Sequence, residues 1–168
     1  DSINNFFNFK KFIKQQNVKL FKEKVVSIIK EKNDINLEKI FFRLKSENNN
    51  LLKIDIEGSE YEIIDKIIKF QSSIEMLIVE FHWINKNETL FKDSIKQLKE
   101  KFEIIHIHAN NYIEPKDSDY FFDVVEISFV KKSNLVNYEN NFRYQFPLEN
   151  LDQECFEHHP KIEFSFSK

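Results

Sequence analysis

One glycine, Gly58, serves the whole chain of 168 residues. Glycine takes left-handed backbone conformations without a Cβ penalty and lets a backbone or ligand come close, so this chain concentrates that freedom at one position. No G-x-G pattern for cradling phosphates or dinucleotides can exist in it. Gly58 sits in LLKIDIEGSEYEII, residues 51–64, behind an apolar run and two spaced acids, Asp55 and Glu57. A buried strand excludes carboxylates; the acids therefore mark where a strand ends, and the glycine marks the turn after it.

Hydrophobic period supplies the elements on either side. Phe6, Phe9 and Ile13, with Phe7 and Phe12 beside them, recur at helical intervals and predict a helix over 4–16. The next stretch, residues 18–32, is ambiguous between short strands and helix. Asn36 is an N-cap residue before Leu37, Ile40, Phe41 and Leu44, which share one face of a helix of about three turns. A strand over 51–56 follows. Ser59 and Glu62 have the spacing of a capping box, opening a helix with a stripe of Ile63, Ile64, Ile67 and Ile68. EMLIVEFHW, residues 75–83, is apolar enough for a strand covered on both faces, as in the middle of a parallel sheet. A helix striped by Leu90, Phe91, Ile95 and Leu98 precedes a third strand, residues 103–109. A polar loop over 110–121 leads to a fourth strand from residue 123, and 162–166 reads as one more.

Strands alternating with helices imply right-handed parallel crossovers, and a strand reached through a loop alone runs antiparallel. The class is α/β. With 168 residues and 41% apolar content the chain is one domain, 1–168. Its net charge of −3 comes from scattered groups, so nucleic acid is not an expected partner. No apolar stretch reaches the roughly 20 residues that span a bilayer, and the first residues lack the features of a signal peptide. No membrane contact and a cytoplasmic location are expected. Cys155 is the single cysteine, in keeping with a reducing compartment, and is a bystander.

In an open α/β sheet, ligands bind outside the carboxyl ends of the strands. Asp55 and Glu57, Glu80 and His82, and His106 and His108 end three successive strands and are expected on one rim. His82 and His108 are candidate general bases, since an imidazole pKa of about 6.5 suits proton transfer near neutrality. His106 is a weaker candidate on the same face as His108. Asn110 and Asn111 are residues of left-handed turns and also amides able to touch a substrate. Acids with histidines are also ligands for a divalent metal, but the spacing fits no defined metal motif and no metal is expected. His158 and His159, before Pro160, read as a solvated turn.

LLKIDIEGSEYEII followed by LIVEFHWI and IIHIHANNY resembles the second half of FkbM-type methyltransferases. These are S-adenosylmethionine-dependent enzymes with a Rossmann-like sheet, many of which methylate hydroxyl groups of sugars or secondary metabolites. KIDIEGSE, residues 53–60, is the most specific block, and the resemblance runs from about 36 to 131. It implies a class I methyltransferase sheet, mainly parallel with an antiparallel closing strand. It also implies catalytic roles for His82, His108 and Asp55, acceptor contacts for Glu57, Glu80, Asn110 and Asn111, and cofactor contacts for Asp55 and Gly58. The acceptor is a small molecule or glycan. Family members begin with a strand and a glycine loop for the cofactor, then a strand ending in an acid that holds the ribose; this sequence has neither. The expectation is a sheet incomplete at its N-terminus, a truncated form, and weak or absent binding of S-adenosylmethionine. The strand at 51–56 is then left with a free edge, for residues 17–30 or for a second copy in a homodimer. Two alternatives are a non-catalytic carbohydrate- or protein-binding remnant and a different Rossmann-like enzyme with a convergent acidic turn.

Overall fold

The computed structural model describes residue 14 and residues 19–44, 50–112, 122–135, 144–159 and 161–166. Apart from residue 14, the helix expected over 4–16 lies outside them, as do residues 113–121 of the loop expected over 110–121. The centre is a four-stranded sheet made of β3 (Asn50–Ile54), β4 (Ile74–Phe81), β5 (Phe102–Ala109) and β6 (Val125–Lys131), in the order β3-β4-β6-β5. β3 and β4 are parallel, and β6 is antiparallel to both β4 and β5. β3, β4 and β5 therefore point the same way and β6 closes the sheet against them. The crossover from β4 to β5 leaves one strand position open, and β6 fills it.

Two helical crossovers cover one face. α2 (Ile64–Lys69), entered through a 3₁₀ turn at Glu60–Ile63, links β3 to β4, and α3 (Glu88–Leu98) links β4 to β5. α1 (Leu37–Leu44) packs beside α2 with Leu37 and Phe41 inward. Asn36 caps it: its Oδ1 accepts the Lys39 N–H at 3.1 Å. Leu77, Val79, Phe81, Phe129 and Phe102 are fully buried beneath these helices, together with Ile63, Ile64 and Ile67. Each such side chain is worth about 1.5–3 kcal/mol of burial, so this face holds the sheet together.

The opposite face differs from the sequence expectation. β4 is not covered on both sides: Met76, Ile78 and Glu80 are only partly buried, alternating with the buried residues. Their partners on β6, Glu126, Ser128 and Val130, are partly buried too. Leu90 also departs from its expected stripe and is exposed, because the inward face of α3 runs through Phe91, Ser94, Ile95 and Leu98. The β5 end of the open face is covered by a hairpin of β7 (Tyr144–Phe146) and β8 (Phe164–Phe166), where Phe146 is buried and stacked on Phe164.

Of the residues expected at the free edge of β3, the described ones, 19–30, do not fill it. β1 (Lys24–Val25) pairs instead with β2 (Asp34–Ile35) in a separate two-stranded parallel ladder. Among the described residues, β3 has a strand on one side only. No helix among them is long and apolar enough to cross a membrane.

Candidate functional site

The turn after β3 carries consecutive left-handed residues, Glu57 at φ 53° and Gly58 at φ 98°. They reverse the chain and bring Glu60 back beneath it. Glu60 is fully buried. Its carboxylate accepts the Ile56 N–H at 3.0 Å and the Gly58 N–H at 3.0 and 3.1 Å. The expected capping box is absent, since Ser59 makes no side-chain cap bond and Glu62 accepts the Ser27 hydroxyl. The two amides that a capping box would use are taken by backbone carbonyls instead: the Glu62 N–H donates to the Ser59 carbonyl at 3.2 Å and the Ser59 N–H to the Ile56 carbonyl at 3.4 Å.

From the end of β4, His82 meets this turn. It is 6% exposed, and its Nδ1 lies 3.0 Å from Glu60 Oε1. A carboxylate already accepting amide hydrogens accepts the Nδ1–H as well, so the neutral ring keeps its lone pair at Nε2. That nitrogen faces Glu57 Oε2 at 3.5 Å and Asp55 Oδ1 at 3.9 Å. Tyr61 fixes the backbone behind it, donating its hydroxyl to the His82 carbonyl at 2.7 Å. Burial pushes the Tyr61 phenol well above its ordinary range, so it remains a donor.

Trp83 takes φ 57° and lays its ring on Gly58. A Cβ at Gly58 would lie 2.8 Å from Trp83 Cδ1. The close approach that the glycine permits is therefore taken by an indole. Left-handed non-glycine residues are strained; of the three described, Glu57 faces the His82 imidazole, Trp83 follows it in the chain and Asn150 lies in the C-terminal segment.

The rest of the rim lies further along the sheet. Glu80 stands beside Glu126 across the β4–β6 ladder, with His108 next along β5. Glu80 Oε1 accepts the Asn110 amide at 3.1 Å, and Glu126 pairs with Lys53 at 2.6 Å. That hydrogen bond raises the Lys53 pKa. His108 lines a shallow pocket with Asp152 and Lys161.

Two candidates have other surroundings. Asn111 is 4% exposed, and its amide bonds the Phe156 N–H and the Phe156 and His159 carbonyls. It holds the C-terminal segment down and is turned away from an acceptor. His106 is held by Asp152 at 2.7 Å, below the Phe146 ring. His159 corrects the solvated-turn expectation: its Nδ1–H donates to the Asn111 carbonyl at 2.8 Å and its ring packs on Phe156. Cys155 is exposed, with a thiol pKa raised by partial desolvation, in keeping with a bystander.

The geometry thus joins Asp55, Glu57 and His82 in one cluster and Glu80 with Asn110 in a second, at the ends of strands that point the same way. The sequence reading missed Glu60. The available signal was its place two residues after the only glycine, where a carboxylate can turn back onto free backbone amides. Trp83, the cover on that glycine, was missed as well.

The whole constellation falls inside a stretch, residues 3–126, that matches the methyltransferase FkbM domain. The chain belongs to the FkbM methyltransferase domain family. No curated protein and no solved structure matches it. The FkbM match runs from before β1 to the second residue of β6, so the closing strand and the C-terminal hairpin lie largely beyond it. S-adenosylmethionine, the cofactor that the FkbM resemblance implies, does not fit the described residues as a cradle. The sole glycine is covered by Trp83, and Asp55 is turned toward an imidazole.

Proposed function

We propose that this chain supplies the acceptor side of an FkbM-type O-methyltransferase with a class I, Rossmann-like sheet, using S-adenosylmethionine as methyl donor and a hydroxyl of a sugar or secondary metabolite as acceptor. The observation that carries this reading is the arrangement around His82: one ring nitrogen fixed by the buried Glu60, the other open toward Asp55 and Glu57. An alkyl hydroxyl is a poor nucleophile until it loses its proton, and a positioned base contributes about 10²- to 10⁴-fold. The proton of the acceptor is lost at this cluster. Asp55 and Glu57, both exposed, accept hydrogen bonds from neighbouring hydroxyls and orient the reacting one. Alignment of this kind supplies several kcal/mol of the barrier reduction. Glu80, Asn110 and His108 continue the polar surface over which a glycan-sized acceptor lies.

The experiment is methyl transfer from labelled S-adenosylmethionine, at millimolar concentration, to a panel of sugars and polyols. His82→Gln and Glu60→Gln are expected to lower the rate by about 10² or more. A wild-type rate in both variants would remove the cluster from the chemistry. The covered Gly58 favours a second reading, in which the rim binds a carbohydrate without methylating it. Saturable acceptor binding with no methyl transfer from the wild-type chain decides for that one. Calorimetric titration with S-adenosylmethionine is expected to show no saturation below about 1 mM, an affinity weaker than about −4 kcal/mol. Micromolar binding would contradict it.

A further inference from the structure

We propose that Asp55, Glu57 and His82 form a site for one divalent cation of the kind Mn²⁺ represents, bound through one imidazole nitrogen and two carboxylates. Three independent features point to it. The donor atoms converge: Oδ1 of Asp55, Oε2 of Glu57 and Nε2 of His82 all lie within 4.8 Å of one another. Donors about 2.1 Å from an octahedral ion are about 3 Å apart when adjacent and about 4.2 Å when opposite, so small movements of the exposed Asp55 and Glu57 side chains close the site.

The second feature is Nε2 itself. The His82 side chain is almost wholly buried, yet among the described residues this nitrogen makes no hydrogen bond and is aimed between the two carboxylates. Its other nitrogen is held by the buried Glu60, the carboxylate–histidine arrangement that orients metal-ligating imidazoles and raises their basicity. The third feature is charge. Asp55, Glu57 and Glu60 crowd one imidazole, and among the described residues no Lys or Arg pairs with any of them; Lys53 pairs with Glu126. Imidazole favours late first-row metals and carboxylates favour Mg²⁺, Ca²⁺ and Mn²⁺. A mixed set of one nitrogen and two oxygens selects an ion acceptable to both, with coordination positions left toward solvent.

Binding stands on this geometry alone; its use rests on the methyl-transfer reading. In that use, an acceptor hydroxyl coordinated at an open position is acidified by the cation, its O–H bond breaks, and the proton passes to solvent water. His82 is then a ligand and Glu60 a positioning residue.

The test is titration of the metal-free chain with Mn²⁺, followed by electron paramagnetic resonance of the free ion and by quenching of Trp83, the only tryptophan. One saturable site is expected, weakened at least tenfold by Asp55→Asn and by Glu57→Gln, and about 10- to 100-fold by Glu60→Gln. Asp65→Asn, on the exposed side of α2, leaves it unchanged. Circular dichroism checks that each variant is folded, and the two exposed carboxylates keep the test available if Glu60→Gln unfolds. Absence of saturation by roughly 1 mM Mn²⁺, or binding indifferent to Asp55→Asn and Glu57→Gln, overturns the proposal. Mn²⁺ binding without methyl transfer leaves the cation site standing and removes the methyltransferase use. Methyl transfer that resists chelation, with no Mn²⁺ bound, does the reverse and returns the proton to His82.

Discussion

At Gly58 two demands coincide: a backbone at φ 98° and an indole ring where a Cβ would be. Either alone disfavours a side chain. Together they predict that Gly58→Ala destabilises the protein by about 1–3 kcal/mol, the range for a strained left-handed residue, with a change in Trp83 emission because the ring must move. Chemical denaturation followed by that fluorescence measures both, and an unchanged midpoint would show the turn to be looser than drawn. That the glycine marks a turn at the end of a strand was legible from the sequence, since it follows an apolar run and two acids. What fills the space over it was not, because Trp83 is 25 residues away and its contact is set by how β3 and β4 align in the sheet. Glu60 was hidden for a related reason. Its partners are two amides of the local turn and one imidazole on the next strand, and spacing alone gives only the former.

Among the elements, the two helix starts read from the sequence separate clearly. Asn36 caps α1 through a side-chain bond, whereas Ser59 makes none. Asn36→Ala should therefore cost about 1 kcal/mol and Ser59→Ala less than about 0.5 kcal/mol, measured as paired shifts in denaturation midpoint; equal losses would mean that Ser59 caps after all. β2 offers a pH test of its own. The Lys30 and Glu31 amides donate to Asp34, which lowers its carboxylate pKa. A depressed carboxylate contributes stability that is present above its unfolded value, about 3.9, and disappears as pH falls through the folded one. Asp34→Asn should flatten that part of the acid limb of a stability profile and leave neutral pH and above without further slope. Helical stripes in α1 and α2 were legible because a 3.6-residue period survives in any tertiary setting. The half-open face of β4 was not. Ile78 and Met76 are apolar, and a strand's own composition does not state whether another layer lies over it.

For the molecule as a whole, the antiparallel closing strand followed from a loop where a crossover helix was missing, but its place between β4 and β5 depended on which sheet position the α3 crossover skipped. The C-terminal segment was the least legible part, because its attachment rests on side chains in β5 and just after it that had been read as site residues. Asn111 ties the Phe156 amide and the Phe156 and His159 carbonyls, and Asp152 joins His106 to the Leu148 amide. These bonds are the segment's polar anchors on a sheet whose helix-covered face is independently packed. Asn111→Ala leaves their backbone partners unsatisfied at a cost of about 1–3 kcal/mol, and the loss should be local. Hydrogen exchange is expected to accelerate across 148–159 while the amides of β4 and β6 keep their protection, because local opening draws only on the contacts of the unit that opens. Mn²⁺ binding should persist in the same variant, since Asp55, Glu57 and His82 sit at the ends of β3 and β4. Equal acceleration across the sheet would mean that the segment and the sheet open as one cooperative unit, with Asn111 part of the support beneath the rim.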